Sequence, residues 1–324
     1  MRAQPDVLRR LASEPRPELG PPPVGTVIVA RGSSDYAAIF GRYLLEAATG
    51  KPVALAAPSL QTLYGVELQL DGWLAVGISQ SGRTPEIGTV LDSFARAGAR
   101  TLAITNDPDS PLAGSADFAL ALAAGEEEAV PATKTFTAQL AALALVAQGL
   151  GPVPWTAADW QRLPASVEEL LRDFEPAERA AARLDGADEL VALGRGYLMP
   201  IALEAALKLR EASRLRAEGW SAADFRHGPV TVAGAGLPVL AVSAAGPAAG
   251  DVDELARELS ENGATVLRLA DDPSADLPYH GDLPEPLRAL PAAVRAQQLA
   301  LAVARRRGLD PDSPPGLRKV TPTR

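Results

Sequence analysis

The sequence predicts an α/β protein built from two tandem, doubly wound parallel sheets. Short apolar runs rich in β-branched residues are followed by glycine- or serine-containing turns and then by segments with helical spacing, an alternation typical of parallel sheets. The alternation restarts past the middle of the 324-residue chain, and the first strand–glycine turns of the two parts, at Gly32 and Gly194, lie half a chain apart. An internal duplication of one α/β unit accounts for both observations.

The first part of the chain follows this pattern after a proline-rich entry. Val24–Ala30 is a continuous apolar run, which fits a strand buried on both faces. We predict helices at 5–14, 35–49, 85–97 and 132–150, and strands at 24–30, 51–56, 73–78, 101–105 and 118–122. Residues 1–23 are therefore assigned to an N-terminal helix and linker, and residues 24–150 to the first domain.

The second part repeats the pattern after a charged amphipathic stretch at 151–185, which we interpret as connecting helices. We predict strands at 189–193, 237–242 and 265–269, and helices at 200–216, 252–262 and 287–307. Residues 186–308 form the second domain, and residues 309–324 form a proline-rich C-terminal tail.

Charge and hydropathy limit the classes of function. A net charge of −9 argues against a nucleic-acid partner or an anionic membrane, because both require a basic face. No apolar run reaches the roughly 18 residues of a membrane span. The N-terminus lacks the apolar core of a signal peptide, so we expect a cytoplasmic protein.

Residue usage limits the chemistry further. The chain has no cysteine and only two histidines, His227 and His280, so we expect no disulfide, no cysteine nucleophile, no metal site and no cofactor. Only four of its 31 basic residues are lysines: Lys51, Lys134, Lys208 and Lys319. Where arginine would serve, this chain uses arginine, so a retained lysine is a candidate for a role that guanidinium cannot fill.

Hydroxyl-rich turns mark the ends of the predicted strands. One turn contains Ser33 and Ser34, and a second contains Ser79, Gln80, Ser81 and Thr84. Pro131–Lys134 opens a third helix in the same way. Ordinary helix capping explains any single turn, but three in one sheet favour a phosphate or sugar-phosphate site at the carboxyl ends of the strands. No turn matches a nucleotide-binding loop.

The helix predicted at 200–216 carries a polar stripe. Glu204, Lys208 and Glu211 fall at positions i, i+4 and i+7, while Arg210 and Arg214 point to a different side. A surface Glu–Lys ladder is the plain alternative to a stripe that faces a cavity. His227 follows in a turn-forming setting, where a structural role is the commoner reading.

Six strings of the chain occur in a recognisable order: ARGSSDYAA (30–38), ISQSGRTPE (78–86), PATKTF (131–136), GRGYLMPIALEAALKLREAS (194–213), FRHGP (225–229) and GLRKVT (316–321). They resemble the sugar isomerase (SIS) family, in particular its two-SIS-domain glucosamine-6-phosphate deaminases and the isomerase half of glucosamine-6-phosphate synthases. The resemblance implies flavodoxin-like domains, with the C-terminal tail over the active site.

The resemblance also implies roles for matching residues. Glu211 matches the base that moves a proton between C1 and C2, with Glu204 and Lys208 as its polar support. His227 matches the ring-opening histidine that a neighbouring subunit supplies, so we expect a homodimer. Lys319 matches the tail lysine that engages the substrate carbonyl. Substrate and phosphate binding falls to Ser33, Ser34, Ser79, Gln80, Ser81, Thr84, Val130 and Ala132.

The expected activity is an isomerising deamination of D-glucosamine 6-phosphate to D-fructose 6-phosphate and ammonia. Without a cysteine nucleophile, no glutamine hydrolysis is expected. Ala132 replaces a serine of the synthases and Arg318 an alanine, which leaves open a galactosamine phosphate or a fructosamine 6-phosphate as substrate. A non-catalytic sugar-phosphate sensor is the alternative of another class, although a sensor has no need of Glu211, His227 and Lys319.

Overall fold

The computed structural model describes residues 1–317 and 319, and it divides into two compact units. The first unit comprises Asp6–Glu127 and Lys134–Pro154, together with Lys319. The second unit comprises Met1–Pro5, Glu128–Thr133 and Trp155–Leu317. Each unit is built around its own parallel sheet.

The sheet of the first unit has five parallel strands in the order β2-β1-β3-β4-β5. The strands are β1 (Thr26–Val29), β2 (Val53–Leu55), β3 (Leu74–Ser79), β4 (Arg100–Thr105) and β5 (Phe118–Ala121). The helices of this unit are most of α1 (Gln4–Ser13), α2 (Ser33–Thr49), α3 (Ser59–Thr62), α4 (Pro85–Arg96), α5 (Pro111–Ser115) and α6 (Lys134–Leu150).

The central strands of this sheet are buried because helices cover both faces. Every residue of β1 and of β3 is buried, as the continuous apolar runs in the sequence predict. On one face, α4 packs Val90 and Phe94 against Val29 and Ala75. The helices α2 and α6 approach closely at Gly41, where a Cβ atom would lie 2.8 Å from the Leu143 side chain. The sheet therefore holds the turns that follow β1 and β3 on a rigid base.

The sheet of the second unit has the order β10-β9-β8-β6-β7 and is also parallel. Its strands are β6 (Glu189–Gly194), β7 (Arg216–Ser221), β8 (Pro238–Val242), β9 (Thr265–Ala270) and β10 (Leu277–Pro278). Its helices are α7 (Ala157–Arg172), α8 (Glu175–Ala182), α9 (Met199–Ser213), α10 (Ala222–Arg226), α11 (Ala249–Glu261) and α12 (Glu285–Arg306). Counted from its own first strand, this order is 2-1-3-4-5, the same as in the first unit. The predicted duplication of one α/β unit is thus confirmed.

One predicted element is wrong at its end. The helix predicted over 200–216 ends at Ser213, because Arg214 adopts a left-handed conformation with φ 55° and its N–H donates to the Arg210 carbonyl. Residues Arg216–Ser221 then form β7, which pairs along its whole length with β6. A charged edge strand without β-branched residues carries no clear strand signal in the sequence.

None of the helices in the described part of the chain combines the length and the hydropathy that a membrane-spanning helix needs.

Candidate active site

Open α/β sheets have a ligand-binding crevice where the strand order reverses, and in the first unit this point lies at the carboxyl ends of β1 and β3. These strands are neighbours, yet the next strands along the chain, β2 and β4, lie on opposite sides of the pair. The connections therefore leave in opposite directions, and open α/β sheets bind their ligands at such a point. The two hydroxyl-rich turns of the first unit follow these two strands.

The first turn contains Ser33 and Ser34. Gly32 has φ 59° and ψ −134°, a conformation that favours glycine, and it allows α2 to begin at Ser33 without a side-chain cap. The Ser34 hydroxyl is buried and accepts a hydrogen bond of 2.9 Å from Nε2 of Gln139, a residue that is 1% exposed. In the described structure, Gln139 Oε1 is buried with no hydrogen-bond partner. Gln139 thus fixes Ser34 at the crevice, a role that the sequence analysis missed.

The second turn is shaped by its own hydroxyls. Ser79 Oγ accepts from the Gly82 N–H at 3.1 Å and lies 3.3 Å from Thr84 Oγ1, while Ser81 Oγ accepts from the Arg83 N–H at 3.2 Å. Gly82 has φ 61°, and a Cβ atom there would lie 2.1 Å from Ser110 Oγ. The Ser79–Thr84 turn therefore packs closely against Ser110.

Gln80 and Ser81 are half-buried in this turn, and the Gln80 carbonyl accepts from the Asn106 N–H at 3.1 Å. Helix α4 begins after Thr84 with no side-chain cap. The first N–H groups of α2 and α4 thus have no side-chain cap. These N–H groups, together with the hydroxyls around them, can hold an anion.

The stripe of α9 is a buried charge cluster and not a surface ladder. Lys208 Nζ is hydrogen-bonded to Glu211 and lies 3.5 Å from Glu204 Oε1. The Lys208 side chain is 3% exposed, that of Glu204 is 2% exposed, and that of Glu211 is 20% exposed. Of the two carboxylates, Glu211 is therefore the one that a ligand can reach.

Lys208 remains a cation in this cluster. Burial alone would lower the pKa of Lys208, but the adjacent carboxylates of Glu204 and Glu211 outweigh it and raise the pKa above its ordinary value. The lysine therefore holds the two carboxylates in place and is not suited to act as a base itself.

The hydrogen bonds of His227 are separate from those of the Glu204–Lys208–Glu211 cluster. Its N–H donates to the Asp224 carbonyl at 3.0 Å at the end of α10, and its side chain is exposed. Among the described residues, His227 makes no hydrogen bond or ion pair with Glu204, Lys208 or Glu211. An exposed imidazole in a turn is free to contact a ligand or another chain.

A cavity of about 530 Å³ in the second unit brings residues 129–133 together with the α9 cluster. Its wall includes Thr133 and Lys208. The segment is fixed at two points, since the Val130 N–H donates to the Asp312 carbonyl at 2.9 Å and Gln297 Nε2 donates to the Thr133 carbonyl at 3.2 Å. Val130 and Ala132 thus belong to a segment that borders the same cavity as Lys208.

A further residue missed by the sequence analysis supports the helix that follows this segment. The buried Glu127 carboxylate accepts from the backbone N–H groups of Lys134 at 2.9 Å and Thr135 at 3.3 Å, and so caps α6. The acidic run before the helix was its only signal in the sequence.

Of the predicted tail at 309–324, the structure describes residues 309–317 and Lys319. Lys319 lies half-buried in a bend. Arg318 and residues 320–324 lie outside the described residues, and so does the expectation that this part of the tail covers the active site.

The comparisons with known proteins identify the family. The SIS domain model matches residues 26–148 and again residues 184–301, and the chain therefore belongs to the SIS-domain family of sugar isomerases. Each match spans most of one of the two repeated α/β folds. The family and the fold predicted from the sequence are thus confirmed.

Two groups of relatives stand out. A glutamine–fructose-6-phosphate aminotransferase (isomerizing) of Gloeobacter violaceus is 35% identical over 309 residues, which cover 90% of this chain and 51% of that protein. The chain spans about half the length of the curated relatives it matches. The C-terminal domain of glucosamine-fructose-6-phosphate aminotransferase from Francisella tularensis has the same fold, with a TM-score of 0.85 at 24% identity, covering 96% of this chain and 95% of that one. A glucosamine-6-phosphate deaminase from Thermotoga maritima superposes with a TM-score of 0.82 at 27% identity, covering 99% of this chain and 97% of that one.

Proposed function

We propose that this SIS protein is an isomerising deaminase that converts D-glucosamine 6-phosphate and water to D-fructose 6-phosphate and ammonia. The observation that carries the proposal is the Glu204–Lys208–Glu211 cluster, in which a buried cation holds a carboxylate that remains accessible. Burying the charges of Glu204 and Lys208 is costly and contributes little to folding, so a catalytic use is the better explanation. The similarity to the Thermotoga deaminase supports this choice of substrate.

The proposed reaction needs only placed acids and bases. The phosphate binds to Ser33, Ser34, Ser79, Gln80, Ser81 and Thr84. His227 transfers a proton to open the sugar ring, because imidazole titrates near neutral pH. Glu211 then removes the proton from C2 and delivers a proton to C1, while the C1 oxygen gains a proton and the amine loses one, which leaves a C1 alcohol and an imine at C2. Water adds to this imine, ammonia leaves, and the C2 ketone of fructose 6-phosphate remains.

The cavity beside Lys208 favours a second candidate within the same family. It is lined by the exposed side chains of Arg2 and Arg305, and it has room for a substituent on the amine. With a fructosamine 6-phosphate, Glu211 would move a proton from C1 to C2, and hydrolysis of the C1 imine would release glucose 6-phosphate and the free amine. An acidic amine such as an amino acid would match the two guanidinium groups.

The test is release of ammonia or free amine by the purified protein from glucosamine 6-phosphate, galactosamine 6-phosphate and a fructosamine 6-phosphate, with Glu211→Gln as control. Ammonia from glucosamine 6-phosphate, lost in the variant, supports the first proposal. Release from another substrate alone supports the alternative. Thermal stabilisation by sugar phosphates without any turnover would favour a sensor.

We further propose that the active enzyme is a homodimer in which His227 acts on the partner's substrate. Glu211→Gln and His227→Ala chains should each be inactive. A purified heterodimer of the two variants retains one intact site of two, so it should recover about half of the wild-type activity. A heterodimer with no activity would contradict a shared site.

A further inference from the structure

An arginine–carboxylate pair joins the two hydroxyl-rich turns of the first unit. Arg31 follows β1 and precedes Ser33 by two residues, and Glu86 lies in the first turn of α4 after the second hydroxyl turn. Arg31 Nε donates to Glu86 Oε2 at 2.9 Å and Arg31 Nη2 donates to Glu86 Oε1 at 2.8 Å. Glu86 is 5% exposed, whereas the Arg31 side chain is 42% exposed. Two parallel hydrogen bonds fix both the distance and the orientation of the groups.

The Arg31–Glu86 pair compensates negative charge at the crevice. Both helices that direct their N-termini towards it carry an acidic residue in the first turn, Asp35 in α2 and Glu86 in α4. Uncompensated carboxylates there would repel a phosphate dianion and occupy the positive ends of the helices. Burial raises the pKa of Asp35 and Arg31 offsets part of that rise, so one guanidinium acts on both acids.

We propose that Arg31 and Glu86 are a positioning pair for the substrate phosphate. Arg31 cancels the charge of Glu86 at the N-terminus of α4 and holds the Ser33–Ser34 turn at a fixed distance from the Ser79–Thr84 turn. The proposal rests on the phosphate site of the proposed function.

The duplicated fold supplies a matched control. Arg195 follows β6, the counterpart of β1, and its Nε lies 3.2 Å from Oδ2 of Asp251 in the first turn of α11, the counterpart of α4. The turn after β6 runs Gly194-Arg195-Gly196-Tyr197 and has no serine. Breaking this second pair removes an ion pair from the equivalent place in the fold, away from the hydroxyl turns, although Asp251 is 59% exposed and so more weakly held than Glu86.

The experiment measures binding of D-fructose 6-phosphate and of inorganic phosphate by calorimetry, and KM and kcat with glucosamine 6-phosphate. The variants are Arg31→Met, Glu86→Gln, the double variant Arg31→Met/Glu86→Gln and Asp251→Asn. Arg31→Met leaves a bare carboxylate, so we expect Kd and KM to rise at least tenfold while kcat changes less than threefold. The double variant has no bare charge and should return to within about threefold of wild type, and Asp251→Asn should match wild type.

Two outcomes would overturn the proposal. If the double variant binds as weakly as Arg31→Met, Arg31 contacts the phosphate itself and Glu86 is incidental. If Arg31→Met binds as well as wild type, the pair has no role at the site. Arg31→Lys keeps the charge but not the paired hydrogen bonds, and it replaces Arg31→Met if that variant does not fold. Its Kd should lie between the wild-type value and about three times that value. Fructose 6-phosphate binding without ammonia release would refute the deaminase alone, whereas a wild-type protein that binds neither probe would refute both.

Discussion

Substituting Lys208 by methionine tests whether the cluster on α9 is a buried set of charges. Methionine preserves most of the volume but leaves Glu204, 2% exposed, without the ammonium 3.5 Å away. Removing one partner of a buried ion pair costs about 3–5 kcal/mol, because the other charge is left uncompensated. For a unit of this size each kcal/mol lowers the melting temperature by about 2–4 °C, so we expect a fall of about 6–20 °C.

The assay is thermal unfolding at neutral pH, followed by circular dichroism, with the double variant Lys208→Met/Glu204→Gln as control. The double variant carries no bare charge at position 204 and should recover at least half of the loss. A melting temperature within about 2 °C of wild type for Lys208→Met would refute the reasoning, since Glu204 would then not be an anion held by Lys208.

Three further predictions concern local structure. Gly82→Ala should lower the free energy of unfolding, measured by thermal unfolding, more than Gly32→Ala does. Both variants lose about 1–3 kcal/mol to a positive φ, but only position 82 adds a Cβ clash, at 2.1 Å. Glu127→Ala should cost about 1–2 kcal/mol through the lost α6 cap, and an unchanged melting temperature would contradict that role. Burial would raise the pKa of Asp159, but hydrogen bonds from Thr156 together with the Arg162 guanidinium outweigh it and lower the pKa. The stability from this capping box is therefore present above pH about 4 and lost as the pH falls through the lower folded value. Asp159→Asn should therefore flatten the acid limb of a stability–pH curve, and an unaltered limb would count against it.

Local signals explain why the crevice could be predicted from the sequence. The runs that become β1 and β3 are mostly apolar, apart from Thr26 and Ser79, and end in glycine- and serine-containing turns. Their burial and the edge at which their turns lie therefore follow from strand chemistry alone. The i, i+4, i+7 spacing likewise places Glu204, Lys208 and Glu211 on one stripe.

What the sequence could not provide depends on distant partners. Gln139 reads as a polar interruption of an apolar helix, and only the fold shows that it bonds to Ser34, 105 residues away. Spacing also does not decide whether the stripe of α9 faces water. The burial of Lys208 decides it. Two sequence signals point the same way: the rarity of lysine in this chain, and the second polar stripe of Arg210 and Arg214 on a helix otherwise rich in alanine and leucine.

The most direct test of the proposed chemistry is the reaction with glucosamine 6-phosphate in D₂O, followed by NMR. The mechanism predicts fructose 6-phosphate and ammonia in equal amounts, with solvent deuterium entering only at C1, as Glu211 exchanges its proton with solvent between abstraction and return. Glu211→Gln should form neither product. A wild-type rate in that variant, or a product other than the ketose phosphate, would contradict the assignment of Glu211 as the base.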